Sequence, residues 1–210
     1  MAKYNLPDLP YDFGALEPHI SAKIMQLHHD KHHKAYVDGA NKAMDELAEA
    51  RSKEELLGKI PWLEMQLAFH VSGHALHSLF WQNMTPKGGG QPAGELKNAI
   101  DHDLGGFEGF RRNLTQAAAT IMGSGWAALM WEPMQKRLVV AQIHDHQSHV
   151  TQGSVPLMVL DAWEHAFYLQ YGPAKADYFK AIWNVWNWQD VGQRLANAQK
   201  MDLKLAGVCG

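Results

Sequence analysis

Three groups of residues in this chain have the types and the spacing for chemistry. The run Val155-Pro156-Leu157-Met158-Val159-Leu160 reads as a buried strand, and it ends on Asp161 with His165 four residues on. That spacing puts a carboxylate and an imidazole on one helical face, or at least pointing the same way out of a strand-to-helix turn. With Trp163, Phe167 and Tyr168 about them, the pair would lie in a dry pocket of the kind a first-row transition metal needs. An ordinary buried Asp–His hydrogen bond is the plainer account, and this stretch alone leaves both open.

The second group is Leu27-His28-His29-Asp30-Lys31-His32-His33-Lys34-Ala35-Tyr36. Helical spacing sets His28, His32 and Tyr36 in one row and His29 with His33 on the next face. A phenol beside imidazoles has the makings of a proton-relaying network, whereas His29 and His33 read as solvated surface. The third group is His70, His74 and His77, a histidine stripe at i, i+4 and i+7. Spacing does not say which of its members would be a ligand.

Elements must bring these groups together. Pro7, Pro10 and Pro18 keep residues 1–20 extended, and Ser21 is placed to cap a long helix running toward Glu49, with Gly39 as a point of bending. A second helix is expected from Pro61 to about Asn83, with Trp62, Met65, Phe69, Leu76 and Phe80 as its core stripe. Two such helices, antiparallel and joined by a short loop, would face the two histidine stripes across one interface. Thr85-Pro86-Lys87-Gly88-Gly89-Gly90-Gln91-Pro92 is the clearest linker. Beyond it the pattern gives helices over 94–104 and 107–122, then strands over 126–131, 137–144 and 155–160. Glu132-Pro133-Met134-Gln135-Lys136 turns the first two strands into an antiparallel pair. A Trp-rich helix from 178 to about 199 follows. The expected fold is α+β: an N-terminal antiparallel helical hairpin domain over 1–87, then a C-terminal α/β domain over 92–210 with a small three-stranded antiparallel sheet.

Composition narrows the function. A chain of 210 residues that is 46% hydrophobic can bury a real core. Its net charge of −3 is spread evenly, so no basic stripe argues for nucleic acid or an anionic membrane. No apolar run approaches the roughly 20 residues that span a bilayer, and a cytoplasmic location is expected. The one cysteine, Cys209, excludes an intrachain disulfide framework and a thiolate metal cage. The 13 histidines are clustered in segments rather than in a terminal tract, which points to a site. A non-haem iron oxygenase would use two histidines and one carboxylate, and a metalloprotease needs His-Glu-x-x-His, which the chain lacks. A non-catalytic metal-binding helical protein is the remaining alternative.

Several segments, in order, carry a resemblance: Leu-Pro-Asp-Leu-Pro-Tyr at 6–11, Ala-Leu-Glu-Pro-His at 15–19, the histidine segment at 28–36 and His-Ser-Leu-Phe-Trp at 77–81. Gly-Ser-Gly-Trp at 123–126, Asp-Ala-Trp-Glu-His-Ala-Phe-Tyr at 161–168 and Trp-Asn-Val-Trp-Asn-Trp at 183–188 continue it. Over essentially its whole length the chain resembles the iron/manganese superoxide dismutases. The resemblance implies one Mn or Fe ion per subunit, held by His28, His77, Asp161 and His165, with His70 and His74 as neighbours. Three neutral imidazoles and a carboxylate do form a hard site suited to either metal. The implied activity disproportionates superoxide to dioxygen and hydrogen peroxide while the metal cycles between M(III) and M(II). Proton uptake through metal-bound solvent then compensates each electron, so the buried charge hardly changes.

The same resemblance places Tyr36 and His32 at the proton-relay and gateway positions, and Trp81, Trp126 and Trp163 in an aromatic wall. The family's solvent-facing glutamine comes from one of two places; here these hold Gly73 and His146, the latter a form associated with actinobacterial members. Gly73 leans the reading toward manganese, with activity on either metal left open. The gateway arginine is replaced by Lys175, a cation without a planar fork. Self-association is implied as well. Glu164 would pair with His165 of the partner subunit and Tyr168 would reach His32 across the same boundary, in a dimer that some family members double into a tetramer.

Overall fold

The computed structural model describes residues 2–204; Cys209 lies outside them. The extended arm is shorter than expected, because residues 13–19 coil through turns in which Ala15 N bonds to Asp12 O and Ile20 N to Leu16 O. Ser21 then caps the next helix, its hydroxyl accepting the amide of Ile24. The helix that follows is not uniform. It runs as α1 (Ala22–Leu27), passes through a π-helical segment at His28–His33 and continues as α2 (Lys34–Ser52). A π turn closes its hydrogen bonds five residues apart rather than four. The expected placing of His29 and His33 on a solvated face is corrected: both are buried. At Gly39, the expected point of bending, α2 runs on as unbroken α-helix. A Cβ there would stand 2.4 Å from the His70 ring, so Gly39 is a close-packing position inside a continuous α2.

A 3-10 turn at Glu54–Lys59 leads into α3 (Ile60–Asn83), with Pro61 in its first turn. Its core stripe differs from the expected one. Trp62 and Met65 are 57% and 68% exposed, and Leu63 packs with Leu47 and Ala50 in a small cluster at the far end of the hairpin. Only α2 and Leu56 of the 3-10 turn cover that end, so just one narrow face of α3 is buried there. Further along, Leu76, Leu79 and Phe80 join the main core, which also contains the sheet.

The second half begins with α4 (Gly94–Leu104) and α5 (Phe107–Ala119). The sheet has three antiparallel strands in the order β2-β1-β3: β1 (Gly125–Glu132), β2 (Arg137–His144) and β3 (Val155–Asp161). Every residue of β1 is buried, as befits the middle strand, and Pro156 lies on the edge strand β3, opposite Met130 where the register shifts. The β1–β2 turn is held by Glu132, whose carboxylate accepts the amides of Met134 (2.7 Å) and Gln135 (3.0 Å). Trp126 lies opposite Ile143 on one side and Asp161 on the other.

The single C-terminal helix read from the sequence is interrupted. After β3 come a 3-10 turn at Glu164–Ala166, short helices α6 (Tyr168–Tyr171) and α7 (Lys175–Ala181), a 3-10 turn at Ile182–Asn184 and finally α8 (Trp188–Ala198). The break at 185–187 is made by hydrogen bonds from outside the helix. Thr85 N donates to Val185 O at 2.8 Å, Gly89 N to Trp186 O at 3.1 Å, and Asn187 N to Asn83 O at 2.7 Å. The linker is thereby pinned, with Gly88 so close to Val185 that a Cβ would fall 2.3 Å from its carbonyl carbon. Among the described residues no helix is long and apolar enough to cross a membrane.

Candidate metal centre

β3 delivers Asp161 at its last residue, completely buried, beside Trp126 on the middle strand. The backbone amide of Trp163 donates to Asp161 Oδ1 at 2.9 Å, which leaves Oδ2 free. Trp163 is extended, and one 3-10 turn brings His165 Nε2 back to 3.2 Å from that oxygen. Asp161 and His165 thus converge out of a turn rather than along a helix. From the hairpin, the π segment supplies His28 with Nε2 at 3.1 Å from the same Oδ2, and α3 supplies His77 with Nε2 at 4.0 Å. The four donor atoms lie within 4.8 Å of one another, the only such group of three or more among the described residues.

These residues fit a metal ion. The Nδ1–H of His77 donates to Gly73 O at 2.6 Å, so its Nε2 carries a lone pair into the centre. Nε2 of His77 and Nε2 of His28 are both buried with no hydrogen-bond partner, a costly state for a polar atom. Imidazole–metal bonds of about 2 Å place ligands on one ion roughly 3–4 Å apart, as here. The charges agree as well. Burial, with the neighbouring His165, pushes His28 down to about 4, and burial, with His28 beside it, holds His77 well below its ordinary value. Burial would raise the Asp161 carboxyl, but His165 and His28 outweigh it and hold it well below the usual carboxylate range. His28 and His77 are therefore held as neutral imidazoles beside one carboxylate anion.

Aromatic rings enclose it. Trp81 meets His28 edge-on at 4.8 Å, Trp126 meets His77 edge-on at 5.0 Å, and Trp163 lies parallel to His165 at 5.4 Å. Beside this wall the buried Tyr36 ring lies 5.0 Å from His77 and 4.5 Å from His146. Burial, helped by the charges of Asp161 and Asp145, raises the Tyr36 phenol far above its usual value. His32, half-buried, stacks on His165 at 4.3 Å. His146 reaches the cluster from the turn after β2. There Asp145 takes a positive φ of 50° and its amide bonds to Ser124 O. Trp126 Nε1–H donates to His146 Nδ1 at 3.0 Å, so in neutral His146 the proton sits on Nε2, which is buried without a partner. Burial pushes His146 down to about 3.

Gly73 is where it is because of Tyr36. A Cβ at position 73 would stand 2.7 Å from the Tyr36 ring, so the volume a side chain would fill is already occupied. Of the remaining candidates, Glu164 and Tyr168 are exposed on this single chain, and Lys175 is half-buried at the head of α7; none belongs to the four-ligand group. His70 packs against Gly39 and does not join the group either. Sequence reasoning missed His33 and His74, whose nitrogens approach to 2.8 Å behind His77. The π turn that creates this contact leaves no mark in a four-residue spacing.

Sequence profiles of the iron/manganese superoxide dismutases match both halves, the alpha-hairpin domain over residues 3–85 and the C-terminal domain over residues 92–194. The chain belongs to the iron/manganese superoxide dismutase family. It is an enzyme whose activity is the disproportionation of superoxide at a manganese or iron ion. Among its relatives is a superoxide dismutase [Mn/Fe] of Propionibacterium freudenreichii subsp. shermanii, 56% identical over 94% of this chain and 99% of that protein. A superoxide dismutase [Fe] of Mycobacterium tuberculosis and a superoxide dismutase [Mn] of Mycolicibacterium smegmatis are each 52% identical over 94% of this chain and 95% of theirs.

Proposed function

We propose that His28, His77, Asp161 and His165 hold the ion, and that Tyr36, His32 and His146 manage protons beside it. The observation that carries this is the convergence of the four donor atoms within 4.8 Å, two of them buried nitrogens with no other partner. A bound manganese or iron ion supplies the one-electron oxidation and reduction of superoxide. The rest is work of the chain. Asp161 stays ionised and offsets cationic charge where water is excluded. Tyr36 keeps its phenol proton across the neutral range, its ring packed against those of His77 and His146. His146 presents a donor at Nε2 because Trp126 occupies Nδ1. Lys175 is proposed as the charge that draws the superoxide anion inward.

The proposal leans to manganese, since the Tyr36 ring blocks a glutamine side chain arriving from position 73. Relatives named for manganese, for iron and for both keep activity with either metal within it. Elemental analysis of protein from its own source, and superoxide removal after reconstitution with each metal, test this part. Strong activity with iron alone would refute the lean. For the ligands, His77→Ala and Asp161→Ala are each expected to lose bound metal and dismutation together. Full activity with one ion per chain in either variant would sink the assignment.

A dimer is proposed with it, built on Glu164 and His165 about a two-fold axis. Glu164, on the turn that carries His165, and Tyr168 (51% exposed), at the start of α6, lie open beside a buried centre. Glu164→Ala is expected to weaken association and metal retention in the same protein; a fully active monomer would show the bridge to be dispensable. The domain division at 1–87 and 92–210 and the cytoplasmic location are carried forward as proposals, tested by limited proteolysis and by cell fractionation.

A further inference from the structure

His33 and His74 have no part in the dismutation just described, yet His33 is completely buried and its ring is stacked on that of His77 at 5.4 Å, 24° between planes. Both of its nitrogens are engaged. Trp81 Nε1–H points at His33 Nδ1 over 2.9 Å. An indole nitrogen can only donate, so Nδ1 must be the acceptor and the proton of neutral His33 must sit on Nε2. From there it donates to His74 Nδ1 at 2.8 Å, with Ser78 Oγ within 3.5 Å of both nitrogens. His74 lies half-buried on α3 against the edge of Tyr4, in the N-terminal arm that Asn41 clips in place through two backbone bonds of 2.9 Å. The order of donors runs one way, from Trp81 through His33 to His74, and reversing any member sets two N–H groups against each other.

We propose that His33 and His74 form a positioning pair for the metal centre. The acceptor on His74 fixes the tautomer of His33, and His33 in turn fixes the indole of Trp81 and supports one face of the His77 ring. Trp81 meets His28 edge-on at 4.8 Å, so the same chain of contacts braces both ligands that come from the hairpin. Neither residue touches the ion or the substrate; they act through Trp81 and His77. The proposal rests on His28 and His77 being ligands, as argued above. Partners that orient ligands typically change metal affinity or activity by 10–100-fold when removed.

The experiment uses the manganese-loaded enzyme. Neutron diffraction is expected to show a proton on His33 Nε2 and none on His33 Nδ1; a proton on Nδ1 overturns the proposal outright. His74→Asn, whose amide oxygen can stand where Nδ1 stood, is expected to release manganese to a chelator at close to the wild-type rate. His74→Leu, with no acceptor, is expected to release it roughly tenfold faster. Equal release from His74→Leu and wild type overturns the proposal, as does release from His74→Asn as fast as from His74→Leu. Should His74→Leu fail to fold, the neutron result and the wild-type rate in His74→Asn decide. Failure of the ligand assignment itself looks different, because His77→Ala would then keep its metal.

Discussion

At the scale of single residues, position 73 is decided by an atom that is missing. The Tyr36 ring lies against the bare Cα of Gly73, and a methyl group there would have to displace it. Gly73→Ala is therefore expected to fold with a loss of about 1–3 kcal/mol, to keep its metal, and to lose most of its turnover because the phenol has moved. Metal analysis beside superoxide kinetics checks this, and wild-type turnover at full metal content would show that the position of Tyr36 is immaterial. The residue types of the centre were legible in the chain. An apolar run ending on Asp161, with His165 after it and two histidine stripes upstream, made a metal site one of the open readings. Which member of the His70/His74/His77 stripe points inward was not legible, because it depends on the rotation of α3 against β3. Resemblance to a family chose His77, and the structure places its Nε2 in the cluster.

At the scale of elements, the π segment at His28–His33 is the feature that spacing alone could not supply. Reading that stretch as regular α-helix put His33 in solvent, whereas the wider turn carries it under His77. Removing the exposed Lys31 should allow an unbroken α-helix. Either His28 or the segment holding His33 and Tyr36 would then rotate by about 100° relative to the other. Near-complete loss of bound metal or activity is expected, with helix content by circular dichroism preserved. A deletion variant with normal metal and turnover would mean that the π turn is incidental. The interrupted C-terminal helix was unreadable for a different reason. Val185 to Asn187 are fixed by backbone partners at 83–89, contacts made by segments about a hundred residues apart in the chain.

At the scale of the whole molecule, the buried histidines give stability a direction with pH. Burial lowers His33 and His146 to about 3 and His28 to about 4, against roughly 6.5 for an unfolded histidine. Below pH 6.5 the unfolded chain therefore binds protons that the folded chain refuses. These groups contribute their full stabilisation above that pH and lose it progressively as the pH falls toward 3–4. Each fully buried histidine steepens the loss by at most about 1.4 kcal/mol per pH unit. Bound metal acts in the same sense, since its ligands must be deprotonated. Urea midpoints are expected to fall steadily between pH 6.5 and 4.5 and to be flat from 7 to 8; a midpoint independent of pH over the acid range would contradict the burial of these rings.

The pinned linker bears on how fast metal-free protein can take up an ion. Two of the four donors come from the hairpin and two from the segment at the end of β3, so uptake by metal-free protein is expected to need the halves to part. The connection between them has no slack. Thr85, Gly89 and Asn187 amides staple it to the 185–187 turn, and Gly88 sits against Val185 without room for one more carbon. Parting breaks those bonds together, which makes loading a matter of the clock more than of affinity. Manganese uptake by metal-free protein should have a steep temperature dependence, like other steps that open native structure. Gly88→Ala, which forces the staple apart, should load markedly faster at the same temperature while its equilibrium affinity changes little. Identical uptake time courses for the two proteins would place the barrier elsewhere in the molecule.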